Sequence, residues 1–170
     1  MSTSPIVIIG AGPSGLMAAQ KLAEKGYSVH IYEQNKNAAR KFLVAGHGGF
    51  NLTHHEPTED FIQRYDQRLL DPIIRSFDNE DTIKWLQEIG VETYVGSSGK
   101  IFPTPGIKPI TVLQLWIKKL ESLGVRISYE YTFTNFAKEE LTLTHKFKNQ
   151  NITFSKLILS LGGGSWKKTG

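Results

Sequence analysis

The chain opens on PIVIIGAGPSGLMAAQKLAEKGYSVHIYE, residues 5–33. An apolar run from Ile6 to Ile9 meets Gly10-Ala11-Gly12-Pro13-Ser14-Gly15. A helix-like segment, Leu16 to Lys25, ends at Gly26, and a second run, Ser28 to Tyr32, ends in the acid Glu33. Strand, glycine turn, helix, strand and acid in that order form a complete βαβ unit of the dinucleotide-binding kind. Small residues also fall at Ala19 and Gly26, where helix and strand must touch, and Leu16, Ala19, Leu22 and Ala23 form a helical stripe. The unit predicts an α/β fold with a parallel sheet.

Each residue of the turn has a physical task. Gly10 permits the sharp strand-to-helix turn, Gly12 leaves its backbone open to a pyrophosphate, and Gly15 lets the helix pack close to the strand. The phosphates meet the free N–H groups around Ser14 and the positive end of the helix dipole. Pro13 lacks an N–H and suits a first helical position. Glu33 lies 18 residues after Gly15. A carboxylate there accepts hydrogen bonds from ribose hydroxyls and repels a 2′-phosphate, which favours FAD or NAD over NADP. At the exposed end of its strand, Glu33 is expected to carry little of the core.

The 170 residues suffice for one domain with a real core, read as one FAD- or dinucleotide-binding domain over 1–170. The net charge of +4 is spread along the chain without a basic block, which speaks against a nucleic-acid partner and suits a diphosphate. With no cysteine, disulfides, thiolate metal sites and a Cys nucleophile are excluded. The first residues lack the pattern of a signal peptide, and no apolar run approaches the ~20 residues that span a bilayer. The expectation is a cytoplasmic protein without membrane contact.

Gln34 to Ala39 reads as a polar loop, followed by RKFLVAGHGGFNLTH over residues 40–54. Gly46, Gly48 and Gly49 lie within four positions, which excludes regular helix or strand there. Such a loop brings its backbone against something flat or charged. Arg40 and Lys41 at its mouth suit phosphate, and Asn51 and Thr53 offer short polar side chains.

The run RKFLVAGHGGFNLTH, following GAGPSG and a strand-terminal Glu, resembles a group of bacterial NAD(P)/FAD-dependent oxidoreductases of the aminoacetone-oxidase type. The resemblance implies a glutathione-reductase-like FAD fold, with three layers, a parallel sheet and an antiparallel β-meander. It implies FAD as cofactor, with NAD(P)H as electron donor in the complete enzyme. It implies that the glycine loop lines the pyrophosphate, ribityl chain and isoalloxazine, which adds Gln34, Leu52 and the loop residues above to the cofactor set. Some relatives carry Cys where this chain has Phe50, so any thiol role is absent here.

Downstream, Thr58 to Tyr65 and Leu69 to Phe77 read as short amphipathic helices. A third runs from Asp81 to Ile89, capped by Asp78 or Asn79 and ended by Gly90. Val91 to Val95 is strand-like. The prolines of IFPTPG, residues 101–106, argue against regular structure. The string GKIFPTP again resembles the family, but Lys100 is given no chemistry. A helix from Pro109 or Ile110 to Leu123 precedes a strand over Val125 to Tyr131. Thr132 to Ala137, Glu140 to Phe147 and Asn151 to Phe154 read as the meander, with turns at Lys138-Glu139 and Lys148-Asn149-Gln150. The resemblance places the adenine near Thr132 and Phe133. Lys156 to Leu161 then leads into Gly162-Gly163-Gly164, similar to the second FAD signature of the fold, and adds Leu161, Gly162 and Gly163 to the cofactor set.

His47, His54 and His55 lie near the glycine loop, but adjacent residues ligate one ion poorly, so no metal is expected. No catalytic residue is assigned, and the substrate is unknown. The resemblance covers the N-terminal portion of the family's architecture. A substrate domain and a returning C-terminal segment are expected beyond Gly170, so the chain reads as C-terminally incomplete. Either it is truncated, or another copy or a missing C-terminal portion completes it, and alone it is not expected to turn over. The leading reading is the FAD-binding portion of a flavin oxidoreductase. The alternatives are an NAD-binding Rossmann domain of a dehydrogenase and a non-catalytic nucleotide-binding module.

Overall fold

The structure is a computed structural model that describes residues 4–45, 50–66 and 68–163. The chain forms two compact units, one of Met1–Val44 with Ile117–Gly170 and one of Ala45–Trp116.

The first unit is built on a four-stranded parallel sheet of order β10-β1-β2-β6. Its strands are β1 (Ile6–Ile9), β2 (Val29–Glu33), β6 (Arg126–Tyr129) and β10 (Lys156–Leu159). In register, Ile9 sits beside Tyr32 on one side and Leu159 on the other. All four residues of β1 are buried, as a continuous apolar run in a parallel sheet requires. Helix α1 (Pro13–Glu24) starts with Pro13 in its first turn and buries Leu16, Ala19 and Ala23.

The other face of β1 carries Val7 and Ile9. With Tyr32 they form one apolar cluster with Leu141, Leu143 and Phe154. Those come from an antiparallel meander of β7 (Thr132–Ala137), β8 (Glu140–His145) and β9 (Lys148–Thr153), in the order β7-β8-β9, together with the residue that follows β9. Alternation along β8 turns Leu141 and Leu143 inward, both fully buried. Helix, parallel sheet and meander make the expected Rossmann-like α/β fold.

One turn of the meander differs from expectation. β8 ends at His145 and β9 begins at its register partner Lys148, so the turn is Lys146-Phe147. Both adopt positive φ, +47° and +64°, the conformation of a two-residue primed hairpin turn. An apolar Phe147 reads as strand, yet here it is fully exposed.

In the second unit, α3 (Thr58–Ile62), a 3-10 turn (Arg68–Leu70), α4 (Asp71–Ser76) and α5 (Asn79–Glu88) accompany a small antiparallel sheet. Its strands β3 (Thr53–His54), β4 (Thr93–Val95) and β5 (Lys100–Pro103) run in the order β3-β5-β4. Strand β5 occupies residues expected to be irregular. Its β3 partner pairs only with Lys100 and Ile101, so Pro103, which has no N–H, lies beyond the doubly paired stretch. Helix α6 (Pro109–Ser122) contains the boundary between the units. In the second unit its Trp116 packs edge-on against Trp85, with ring centroids 4.7 Å apart. Among the described residues, no helix is long and apolar enough to cross a membrane.

Candidate functional site

A cavity of about 360 Å³ opens in the first unit at the C-terminal ends of β1, β2 and β10. The chain leaves β1 toward β2 on one side, while β10 flanks it on the other. This is the switch point where open α/β sheets place their ligands. Four segments from distant parts of the sequence line it. Gly10, Gly12, Pro13 and Ser14 come from the first turn, Glu33 from the end of β2, and Gln34, Asn35, Arg40 and Lys41 from beyond it. Tyr131 and Phe133 enter from the start of the meander, and Ser160, Leu161 and Gly162 follow β10.

The three glycines of the turn meet different surroundings. A Cβ on Gly10 would lie 2.2 Å from the Ser160 carbonyl oxygen, and Gly10 holds φ at +102°. Gly10 therefore serves the approach of the residue after β10 as well as the turn itself. A Cβ on Gly15 would lie 2.1 Å from the Gly10 carbonyl oxygen, the tight helix–strand contact anticipated for it. A Cβ on Gly12 would meet no protein atom within 4 Å, so the space beside it is free for a ligand. The first bond inside α1 is Leu16 N–H to the Gly12 carbonyl, 2.9 Å. The N–H groups of Ser14 and Gly15 precede it, with no side-chain cap and no acid in the first turn. The Ser14 and Ser160 hydroxyls lie 2.8 Å apart and join the two glycine segments.

Glu33 is the acid among the lining residues, and it is buried at 7% exposure. Its Oε2 accepts from the Ala11 N–H at 2.8 Å, and its Oε1 accepts from both the backbone and side-chain N–H of Asn35, at 2.8 and 2.7 Å. The expectation that Glu33 carries little of the structure is corrected here, because it anchors the buried turn to the loop after β2.

Residues 40–45, expected as part of a loop, form the short helix α2 (Arg40–Ala45). Ala39 enters it at φ +52°, with its N–H bonded to the Ala11 carbonyl at 2.9 Å. The two adjacent cations diverge. Arg40 donates to the Asn35 side-chain oxygen at 2.8 Å, and the Lys41 ammonium donates to the Gly163 carbonyl at 2.6 Å. Tyr32 and Tyr131 meet edge to face at 5.2 Å. Burial first, then the neighbouring Tyr131, push the Tyr32 phenol above its ordinary range, so it stays protonated. Among the described residues that line the cavity there is no His, no Cys and no paired Lys and carboxylate.

Gly10, Gly12, Pro13, Ser14, Glu33, Gln34, Arg40, Lys41, Phe133, Leu161 and Gly162 all line this one cavity. Gly15 and Gly163 touch lining residues instead, Gly15 at the Gly10 carbonyl and Gly163 through the Lys41 ammonium. Thr132 is exposed beside Phe133. Asn51, Leu52 and Thr53 belong to the second unit, where Leu52 N–H bonds to the Ile101 carbonyl at 2.8 Å and Thr53 pairs with Ile101. Gly46, Gly48 and Gly49 lie outside the described residues. Sequence reasoning missed Asn35, Tyr131 and Ser160. Their only local signal was adjacency to Gln34, Thr132 and Leu161.

A model of the HI0933-like protein Rossmann domain matches residues 4–170. The chain belongs to this family. The HI0933-like Rossmann domain is an FAD-binding domain of flavin-dependent oxidoreductases. A ribosomal RNA dihydrouridine synthase of Haemophilus influenzae is 31% identical over 95% of this chain and 37% of its own length. A 3-dehydro-bile acid delta(4,6)-reductase of Clostridium scindens is 28% identical over 97% of this chain and 40% of its own. The HI0933-like chain thus spans about two fifths of the length of these relatives. In fold it is similar to THI4 of Thermovibrio ammonificans, with a TM-score of 0.62 at 16% identity over 98% of this chain and 61% of that one. It is likewise similar to a 3-ketosteroid-delta4-(5alpha)-dehydrogenase of Rhodococcus jostii RHA1, at 0.68 and 13% identity over 92% and 45%.

Proposed function

We propose that this chain holds FAD in the cavity at the ends of β1, β2 and β10, as the cofactor-binding part of a flavin oxidoreductase. One observation carries the reading. The space beside Gly12 is free of protein atoms, at a helix N-terminus without cap or acid and in a cavity that also contains Glu33. A diphosphate meets the Ser14 and Gly15 N–H groups there, with Arg40 and Lys41 as cations. Glu33 accepts from a ribose hydroxyl, and Tyr131 with Phe133 offers flat apolar surface to the adenine. Bound FAD supplies the hydride and electron chemistry, while these residues bind and orient it.

Relatives that act on ribosomal RNA and on a bile acid share this segment. That supports its role in holding the common cofactor, with substrate chosen elsewhere. A cytoplasmic location belongs to the same proposal. Absorbance of the purified chain, before and after FAD is added and excess removed, tests the reading. Flavin bands that co-elute with protein in a roughly one-to-one ratio are expected. A folded chain that stays colourless after reconstitution would refute it.

A further inference from the structure

We propose that Asn35 is a positioning residue for the nucleotide ribose: it holds the Glu33 carboxylate in one orientation and leaves it a single unused acceptor site. The proposal rests on the reading of the cavity as a nucleotide site. Asn35 lines the cavity itself.

A carboxylate offers about four lone-pair sites, two on each oxygen. Both sites of Glu33 Oε1 are taken by Asn35, through its backbone N–H at 2.8 Å and its side-chain N–H at 2.7 Å. One site of Oε2 is taken by the Ala11 N–H at 2.8 Å. A single site on Oε2 remains. Glu33 thus accepts one ribose hydroxyl rather than chelating two, and a carboxylate rotated out of this plane would lose three N–H donors at once.

Chemistry sets the direction of the Asn35 amide. Its Nδ2 faces the carboxylate and its Oδ1 accepts from the Arg40 guanidinium at 2.8 Å. A flipped amide would oppose oxygen to carboxylate and NH₂ to guanidinium, both repulsive. Asn35 thereby couples the lone buried acid of the cavity wall to a cation without an ion pair between them. The same residue gathers a third wall. Its carbonyl accepts from the Glu130 N–H at 3.2 Å, while the Glu33 carbonyl accepts from the Tyr131 N–H at 2.9 Å. These two bonds seat the connection that brings Tyr131 and Phe133 to the cavity.

A residue that merely ended β2 would, when replaced, weaken every ligand alike. A positioning residue weakens most the ligand that uses Glu33. The test is calorimetry on the 170-residue chain freed of flavin, with ADP and 2′,3′-dideoxy-ADP as probes. The native chain is expected to prefer ADP by about tenfold, one charge-assisted hydrogen bond. In Asn35→Leu that preference should collapse to within about twofold, ADP losing about fivefold more affinity than the dideoxy probe. Asn35→Asp keeps the acceptor for Arg40 but sets a second carboxylate against Glu33. It should lose the preference too, and it decides the matter alone if the leucine variant does not fold.

A tenfold preference that survives in the folded variants overturns the positioning role, as does a native chain indifferent to the ribose hydroxyls. A native chain that binds neither FAD nor ADP overturns the reading of the cavity as well.

Discussion

Gly10, Gly12 and Gly15 lie within six residues yet answer to different forces, and substitution separates them. A side chain on Gly10 or Gly15 runs into backbone oxygen at 2.2 and 2.1 Å, which cannot move without shifting a strand or the helix. Gly10→Ala should therefore cost at least the ~1–3 kcal/mol typical of overpacking, read by chemical denaturation. Gly12→Val faces open space. It should keep the native circular dichroism and lose flavin, because its side chain fills the space a pyrophosphate needs. A Gly12→Val chain that retains stoichiometric flavin contradicts the placement. Glu33→Ala combines both effects. It strands three N–H donors around a buried site, so a stability loss of about 1–3 kcal/mol accompanies weaker FAD binding of the order of 1.5–3 kcal/mol. Denaturant melts of the flavin-free variant isolate the first effect and titration the second.

At the scale of elements, α5 shows how local chemistry decides a boundary. Asp78 Oδ1 accepts from the Glu80 and Asp81 N–H groups at 2.9 and 3.0 Å, and Asp81 reaches back to the Asp78 N–H at 3.3 Å. This capping box is legible in the order Asp-Asn-Glu-Asp. The Thr58 hydroxyl, donating to Oδ2 at 2.6 Å, is not legible, because it comes from another helix. That bond, then the two backbone N–H groups, hold the Asp78 carboxyl below its usual range. A depressed folded value means that the ionised cap stabilises above the unfolded value near pH 4, and that this contribution is lost as pH falls through the lower folded value. Asp78→Ala should cost about 1 kcal/mol at neutral pH and make the acid limb of a Tm-versus-pH curve shallower. Equal losses at pH 7 and at pH 2 would refute that origin.

At the scale of the whole molecule, the cavity combines one acid with two cations, and their placement sets nucleotide preference. Glu33 is buried and held by backbone donors, so it cannot turn away from a 2′-phosphate, whereas a ribose hydroxyl can donate to it. Titrations by calorimetry at one salt concentration should therefore show FAD bound more tightly than NADP. Tighter NADP binding would mean that Arg40, rather than Glu33, dominates the ribose end. Relatives of different substrate share this segment, which fits a part whose surroundings are tuned to a common nucleotide.

Local pattern alone determined the βαβ unit, the existence of α1 and α5, the first and last strands of the parallel sheet and the existence of the meander. Each is written in hydrophobic period, glycine spacing and capping residues that act within a few positions of one another. Tertiary structure decided the rest. The hairpin turn moved to Lys146-Phe147 because cross-strand register outweighs the strand preference of Phe147. Strand β5 formed through Pro103 because its neighbour β3 is short. Glu33 became a buried anchor because Asn35 and Ala11 close on it. Ser160 reached the first glycine turn because β10 lies beside β1. The Ala11–Glu33 and Ser14–Ser160 contacts join residues 22 and 146 positions apart, and no window of sequence spans such distances.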